Sequence, residues 1–257
     1  MPSSASRRIV IGTSGFSASH EECFRNLDGV EVQKTFYSLP RRDTALRWRR
    51  LAPPGFVFTA KAWQVITHPP SSPTYRRMPF PPPPGAGFFR SPEAEAAWEK
   101  TLEILAALEA EVAVFQCPSS FTPTREHVED MRAFFRKARR SGITLAWEPR
   151  GDWPWEEVES LSLELGLVPV LDPFREKEVL SWREKRGRER LFYFRLHGRG
   201  GYRYRYSREE KENLRGLVLD LASSDRVYCF FNNVYMWDDA REFREMLGLT
   251  LALPPGG

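Results

Sequence analysis

The segment EVAVFQCPSSFTPTREHVEDMRAFFRKARRSGITLAWEP, residues 111–149, decides the fold. It opens with a short apolar run at 111–117 and closes with another at 143–149, and both are rich in residues that favour β-strands. Between them, residues 123–141 have the apolar spacing of a helix that buries one face. A strand, a helix and a strand in this order indicate a parallel βαβ unit.

The same rhythm extends along the whole chain. Helical segments alternate with eight short apolar runs, which we predict as strands at 8–14, 30–38, 56–62, 111–117, 143–149, 167–173, 191–198 and 226–233. Eight strands with interposed helices in about 250 residues match the size of a (β/α)8 TIM barrel. We therefore expect an α/β protein in which residues 1–257 form a single domain.

The composition excludes several classes of protein. A hydrophobic fraction of 41% with 28% charged residues is typical of a globular chain. No apolar run approaches the roughly 18 residues of a membrane span or resembles a signal peptide, so we expect a cytoplasmic protein without a membrane partner. The three cysteines lack CxxC spacing, which argues against a disulfide framework or a zinc site. The net charge of +4 says little about nucleic acid by itself.

A Pro-rich segment at 67–91 is too long to be an ordinary connection. It follows the third predicted strand, so we expect it to lie over the carboxyl-terminal face of the barrel. One interpretation is an extended loop that merely covers the barrel mouth. The alternative is a lid whose Tyr75, Phe88 and Phe89 face a ligand. The covering loop is the favoured interpretation.

Polar side chains gather at the carboxyl ends of the predicted strands. Because side chains alternate between the two faces of a strand, the inward set can be read from the spacing. It comprises Glu31, Gln33, Thr35, Tyr37, Lys61, Gln116, Glu148, Arg150, Asp172, Arg195, His197 and one of Asn232 and Asn233. Active sites of such barrels lie at this end, so a ligand site is predicted there. The alternative is a self-contained network of ion pairs, such as Glu31 with Lys61 or Glu148 with Arg195.

Five of these residues are candidate catalytic groups. Glu148 with either Glu31 or Asp172 is the best acid–base pair, because carboxylates in one enclosed site push their pKa values apart. His197 is a candidate proton shuttle, or else a structural histidine bonded to Glu148. Lys61 is a candidate for charge neutralisation or imine formation, although an ion pair with Glu31 is the favoured alternative.

The clearest pattern for an anionic ligand is HGRGGYRYRYS at 197–207, directly after the seventh predicted strand. Its glycines allow backbone N–H groups to approach an oxyanion, and its arginines are bidentate donors. A basic run at 183–190 precedes it, and we interpret that run as a solvated surface. The candidate substrate-binding residues are Arg195, Arg150, Gln116, Tyr37, Arg199, Tyr204, Asn232 and Asn233.

Several short motifs, taken in their order along the sequence, resemble those of the DUF72 family over nearly the whole chain. They are IGTSGF at 11–16, VEVQKTFYSLP at 30–40, FVFTAKAWQVITH at 56–68, FQCPSSF at 115–121, AWEPR at 146–150, FRLHGRGGYRYRYS at 194–207 and FFNN at 230–233. The resemblance implies a TIM-barrel fold. It implies no particular reaction, because the biochemical activity of the family is unassigned.

The functional expectation is an enzyme, of hydrolase or lyase type, that acts on a small anionic or phosphorylated substrate, nucleotide-like ones included. A non-catalytic protein that binds nucleic acid or a metabolite is the alternative, and a carbohydrate hydrolase with two carboxylates is the third. Oxygen and nitrogen donors at Glu31, Glu148, Asp172 and His197 suit a divalent metal, but no HxH or HExxH spacing supports one, so no metal ligand is assigned. The cofactor and the oligomeric state are left open.

Overall fold

A computed structural model describes residues 8–186 and 190–249. Its eight parallel strands pair in sequence order, and the last pairs with the first to close a barrel. This architecture confirms the predicted (β/α)8 TIM barrel. The strands are β1 (Ile9–Ser14), β2 (Gly29–Val32), β3 (Val57–Lys61), β4 (Val112–Gln116), β5 (Thr144–Glu148), β6 (Val168–Leu171), β7 (Leu191–Leu196) and β8 (Arg226–Phe231).

Helices surround this barrel. They are α1 (His20–Asn26), α2 (Lys34–Tyr37), α3 (Arg42–Leu51), α4 (Gln64–Thr67), α5 (Glu93–Leu108), α6 (Arg125–Ala138), α7 (Trp155–Leu165), α8 (Glu176–Lys185), α9 (Arg208–Ala222) and α10 (Met236–Met246). The sequence analysis does not predict α8, because the helix buries only Val179 and Trp182 within a run of charged residues. None of the helices in the described residues is long and apolar enough to cross a membrane.

The second strand is shorter than predicted. β2 ends at Val32, and the chain then forms the single turn of α2, so Thr35 and Tyr37 do not lie on an inward strand face. The Thr35 hydroxyl contacts the carbonyl oxygens of Val32, at 2.8 Å, and Lys61, at 2.7 Å, which fixes this turn against the end of β3. Tyr37 lies half-buried with the Arg77 guanidinium 4.8 Å from its ring centre.

Alternate strand residues fill the barrel interior, as the predicted spacing requires. The inner cluster consists of Val10, Val57, Val112, Val114, Ala146, Val168, Leu191, Tyr193, Tyr228 and Phe230, with Val170 packed against it. A side chain at Gly12 is sterically excluded, because its Cβ would lie 2.2 Å from the Gly29 carbonyl oxygen of β2. At the carboxyl end this apolar filling gives way to buried Glu31, Lys61, Glu148 and Arg195. The fold therefore places ionisable groups on top of an apolar core.

The Pro-rich segment packs its aromatic rings into the protein. Phe89 is 1% exposed and lies 5.0 Å from Phe135, between ring centres, under α6. Phe88 stacks on Phe121 at 5.7 Å, and the Tyr75 hydroxyl donates a hydrogen bond to the His68 carbonyl at 2.9 Å. These contacts favour the covering loop over a lid whose three rings face a ligand.

Candidate active site

Arg195 is the centre of the polar layer. It lies on β7, is 1% exposed, and its Nη1 contacts the Glu148 carboxylate and, at 3.2 Å, Gln116 Oε1. Its Nη2 lies 3.1 Å from Glu31 Oε1. The predicted ion pair of Glu148 with Arg195 is confirmed. The ion pair of Glu31 with Lys61 is wrong, because the guanidinium fork of Arg195 takes both carboxylates.

Tyr193 holds the other oxygen of Glu31. Its hydroxyl donates to Glu31 Oε2 at 2.8 Å, and Thr59 Oγ1 lies 2.8 Å from the same hydroxyl. Burial, followed by the Glu31 charge, raises the pKa of Tyr193 well above its usual value, so the phenol stays protonated as a donor. The sequence analysis does not select Tyr193 as a site residue, although its inward position two residues before Arg195 is a usable signal.

Lys61 has an unusual environment for a buried amine. Its Nζ donates to Gln116 Oε1 at 2.8 Å and lies 4.3 Å from the centre of the Phe36 ring. It forms no ion pair with a carboxylate in the described residues. Burial, with a further contribution from Arg195, lowers the pKa of Lys61 to about 7, against the opposing effects of the Glu31 and Glu148 charges. The neutral amine is therefore well populated at neutral pH.

Glu148 and His197 face each other at the outer edge of the polar layer. His197 Nε2 lies 2.9 Å from Glu148 Oε1, and Arg150 Nη2 lies 2.7 Å from the same oxygen. The Asn232 amide nitrogen lies 2.9 Å from His197 Nδ1. Because the ionised Glu148 carboxylate can only accept, the ring proton is assigned to Nε2, which donates to Glu148 Oε1, and Nδ1 accepts from the Asn232 amide. Arg150 Nη2 also lies 3.0 Å from Nε2, and in this tautomer it donates to Glu148 Oε1 instead.

The two groups have opposite charge states near neutral pH. Burial alone would raise the pKa of Glu148, but Arg195, the hydrogen bond from His197 and Arg150 together hold it well below its usual value. Burial lowers the pKa of His197, and it outweighs the opposing effect of Glu148. Glu148 is therefore an ionised carboxylate bound to a neutral imidazole.

A cavity of about 490 Å³ opens beside this pair, at the carboxyl ends of β5, β6 and β7. Its size is that of a small-molecule site. Two lining residues are not among the predicted site residues: Arg175, which lies in the connection between β6 and α8, and Trp155, which is the first residue of α7. The lining comprises Glu148, Pro149, Arg150, Gly151, Asp152, Trp153, Trp155, Val158, Val170, Leu171, Asp172, Arg175, Glu178, Arg195 and His197.

Asp172 lines this cavity without joining the network of Arg195. Its side chain is half-buried, and Oδ1 accepts a hydrogen bond from the Phe174 amide at 3.0 Å. Of the two predicted partners of Glu148, Glu31 contacts the same arginine, Arg195, and Asp172 lines the same cavity. No three His, Cys, Asp or Glu side chains within residues 8–186 and 190–249 are grouped as metal ligands. The set of Glu31, Glu148, Asp172 and His197 is therefore not assembled around one point.

The loop after β7 is largely occupied by its own contacts. Arg199 and Tyr204 both contact Glu210, at 3.4 and 2.6 Å, and the Gly198 amide donates to the Tyr206 hydroxyl at 2.8 Å. Asn233 is fully buried and donates to the Tyr204 carbonyl at 2.7 Å. The structure thus brings Asn232 to His197, whereas it places Arg199, Tyr204 and Asn233 in a separate cluster.

The basic run before β7 is paired with acidic residues. Arg183 bonds Asp220, Lys185 bonds Glu159, and Arg186 bonds Asp225. Arg188, in the same run, lies outside the described residues. Most of the positive charge of this basic run is therefore balanced by neighbouring carboxylates.

Comparisons with known proteins identify the family of the chain and agree with its barrel fold. The model of the family described as "Protein of unknown function DUF72" matches residues 21–255, so the chain belongs to the DUF72 family. None of the curated proteins compared with the sequence matches it.

Solved structures with the same fold include two DUF72 family proteins. The one from Enterococcus faecalis has 19% identity and a TM-score of 0.71, with 97% of this chain and 99% of that chain covered. The one from Thermotoga maritima has 23% identity and a TM-score of 0.67, with 95% and 100% covered. An AP endonuclease, family 2, from Brucella melitensis has 13% identity and a TM-score of 0.59, with 94% and 98% covered. At these identities the likeness shows the fold alone.

Proposed function

We propose that this DUF72 protein is an enzyme that acts on a small anionic or phosphorylated substrate, with His197 and Glu148 as its acid–base pair. One observation carries the proposal: a neutral imidazole is held by a buried, ionised carboxylate on the wall of a cavity of about 490 Å³. Buried groups with shifted pKa values in a cleft are characteristic of catalytic sites.

The geometry divides the work between the two residues. His197 can take a proton at Nδ1 when a substrate group draws away the Asn232 amide, and the resulting imidazolium is stabilised by Glu148. Glu148 itself is a weak base, because its pKa is held well below the usual value mainly by Arg195, against the effect of burial. We therefore assign proton transfer to His197 and orientation to Glu148, which suits a hydrolase or a lyase.

Two further arginines are suited to bind the anionic group. Arg195 is buried and shared by Glu31 and Glu148, whereas Arg150 and Arg175 lie on the cavity wall with exposed fractions of 39% and 67%. Arg150 contacts Glu148 and Arg175 contacts Glu178, and both guanidinium groups keep donors free toward the cavity. Guanidinium groups bind carboxylates and phosphates through two parallel hydrogen bonds. These two side chains support a proposed site for the substrate anion at the rim, between the connections that follow β5 and β6.

The alternatives fit the contacts less well. A hydrolase with two catalytic carboxylates needs both groups free to reach the sugar. Glu31 is fully buried and bound to Arg195 and Tyr193, and Glu148, which shares the cavity with Asp172, is held by Arg195, Arg150 and His197. A surface for nucleic acid needs several cations together on an open face, and in the loop after β7 Arg199 contacts Glu210 and Arg205 contacts Glu242, so acidic side chains are interspersed with the arginines there.

The test compares two glutamates that are each 5% exposed, Glu148 and Glu159. Sugar phosphates and nucleoside monophosphates are screened for a ligand that raises the melting temperature, and turnover of that ligand is then measured. Glu148→Gln is expected to lower kcat by about 10²-fold or more while binding persists. Glu159→Gln should leave kcat unchanged, because Glu159 bonds Ser181 and Lys185 on α8, outside the cavity.

A binding protein would give a different result. Its affinity would be indifferent to Glu148→Gln, and it would lose salt-dependent affinity in Arg199→Ala or Arg203→Ala. Such a pattern would reject the acid–base proposal.

A further inference from the structure

Two lysines are equally buried, each 3% exposed, and their surroundings differ. Lys211 on α9 has Asp239 at 2.8 Å and also contacts the Glu242 carboxylate. Lys61 at the end of β3 has only the uncharged Gln116 as a polar partner of Nζ among the described residues. Burying an ammonium group without a counterion is costly. Lys61 therefore lacks the pairing that explains Lys211.

The Lys61 amine is one side chain away from the cavity wall. Gln116 Oε1 accepts from Lys61 at 2.8 Å and from Arg195 at 3.2 Å, and Arg195 lines the cavity. Gln116 is itself half-buried. Lys61 and Gln116 are not themselves part of the cavity lining, so a ligand meets the amine by reaching past Arg195 and displacing the Gln116 side chain.

We propose that Lys61 forms a covalent imine with an aldehyde or ketone group of the substrate. The inference rests on the proposed function, because it specifies the substrate of the same cavity as a carbonyl compound. Neutral amines are the nucleophiles in such reactions, and lysines acquire this character when they are desolvated beside another cation. Arg195 is that second cation, and burial lowers the pKa of Lys61 to about 7.

The chemical step is balanced without an oxidant or a reductant. The lone pair of Lys61 Nζ attacks the carbonyl carbon, the carbonyl oxygen gains a proton and the nitrogen loses one, which gives a carbinolamine. The carbinolamine then loses its hydroxyl group and a proton as one molecule of water, which gives the imine. These proton movements need a general acid–base group, which is the role proposed above for His197. Hydrolysis reverses each step.

The experiment traps the imine on the intact protein. Glyceraldehyde 3-phosphate is the probe, uncharged glyceraldehyde is its counterpart, and cyanoborohydride at pH 7 delivers hydride to the imine carbon to give a stable secondary amine. Peptide mass mapping then locates the adduct. We expect Lys61 to be labelled at least about tenfold faster than exposed Lys100, and buried Lys211 to stay unlabelled.

The controls separate this inference from the proposed function. Lys61→Met should abolish the rapid adduct, and its circular dichroism spectrum reports whether it has folded. Gln116→Ala keeps Lys61 and removes the side chain that bonds it, so rapid labelling should persist. Labelling of Lys100 with none on Lys61 in the wild type and in Gln116→Ala overturns the imine. If turnover still depends on Glu148 in that case, the acid–base proposal stands.

Discussion

Two buried ionic networks in this protein have similar components and different designs. The mouth network, at the carboxyl ends of the strands, comprises Glu31, Lys61, Gln116, Glu148, Arg195 and His197. The α9–α10 network, behind β8, comprises Lys211, Asn233, Asp239 and Glu242. Both contain a lysine that is 3% exposed and a carboxylate residue that is fully buried.

The difference lies in how the charges are balanced. In the α9–α10 network the Lys211 ammonium group lies between the carboxylates of Asp239 and Glu242. The Asn233 amide also donates a hydrogen bond of 3.0 Å to the Asp239 carboxylate. In the mouth network Arg195 holds both carboxylates, whereas Lys61 has no counterion in the described residues. The mouth network also opens to a cavity. Burial of charge therefore does not mark a site by itself, whereas an uncompensated group beside a cavity does.

The largest expected effect comes from removing the central cation of each network. Arg195→Met leaves fully buried Glu31 and 5% exposed Glu148 beside each other, and it should lower the free energy of unfolding by about 5 kcal/mol. Lys211→Met should cost about 3 kcal/mol, because the Glu242 side chain is half exposed and can turn to water. Urea unfolding of both variants measures the difference.

Rescue variants sharpen that comparison. Adding Glu31→Gln and Glu148→Gln to Arg195→Met removes the buried negative charges, so part of the lost stability should return. A larger loss of unfolding free energy in Lys211→Met than in Arg195→Met would contradict the expectation that the carboxylates of the mouth network are the more costly ones to leave without a cation.

The next largest effect is the pH dependence of the free energy of unfolding that the shifted pKa of Lys61 produces. Its pKa is about 7 in the folded protein and 10.5 in the ordinary state, so between these values the unfolded chain binds more protons. Stability then rises with pH in that window and falls as pH approaches 7 from above. Between pH 7 and pH 10, the free energy of unfolding of the wild type should therefore rise by about 3.5 kcal/mol relative to that of Lys61→Met. Urea unfolding at the two pH values measures it, and a constant difference would contradict the environment assigned to Lys61.

Much of the fold and the residues of the mouth network follow from sequence periodicity. Alternation along the strands places Lys61, Glu148 and Arg195 inside the barrel, and the structure has them there. The same reasoning fails for Thr35 and Tyr37, because strand-favouring residues continue past Val32 while a hydroxyl-to-carbonyl hydrogen bond turns the backbone into α2. Periodicity therefore identifies a face, but it does not identify where a strand ends.

The partners of the inward residues are beyond what periodicity can predict. Lys61 and Arg195 both point inward, and only the three-dimensional positions show that the arginine fork reaches both carboxylates. Adjacent Asn232 and Asn233 look equivalent in sequence, yet one meets His197 and the other meets Asp239. These distinctions depend on side-chain reach across the barrel and on how β8 leads into α10.

The smallest expected effect is a change in the pKa of His197 that a substitution of Asn232 should cause. Burial lowers the pKa of His197, so stability in the wild type falls as pH drops below about 6.5 through the folded value. Asn232→Asp places a carboxylate beside Nδ1, where the amide nitrogen lies at 2.9 Å, and it should raise the pKa of His197 by about 1 or more. Titration of the ring proton signals by NMR measures the change.

The matched control is Asn213→Asp, the same substitution at an exposed position of α9, which should leave the titration of His197 unchanged. An unchanged pKa in Asn232→Asp would mean that the amide does not face Nδ1 and that the ring proton is not fixed on Nε2. A raised pKa would also lower the fraction of neutral imidazole at pH 7. Proton transfer by His197 should then move to higher pH, a consequence with no counterpart in the α9–α10 network, where Asn233 donates to the carboxylate of Asp239.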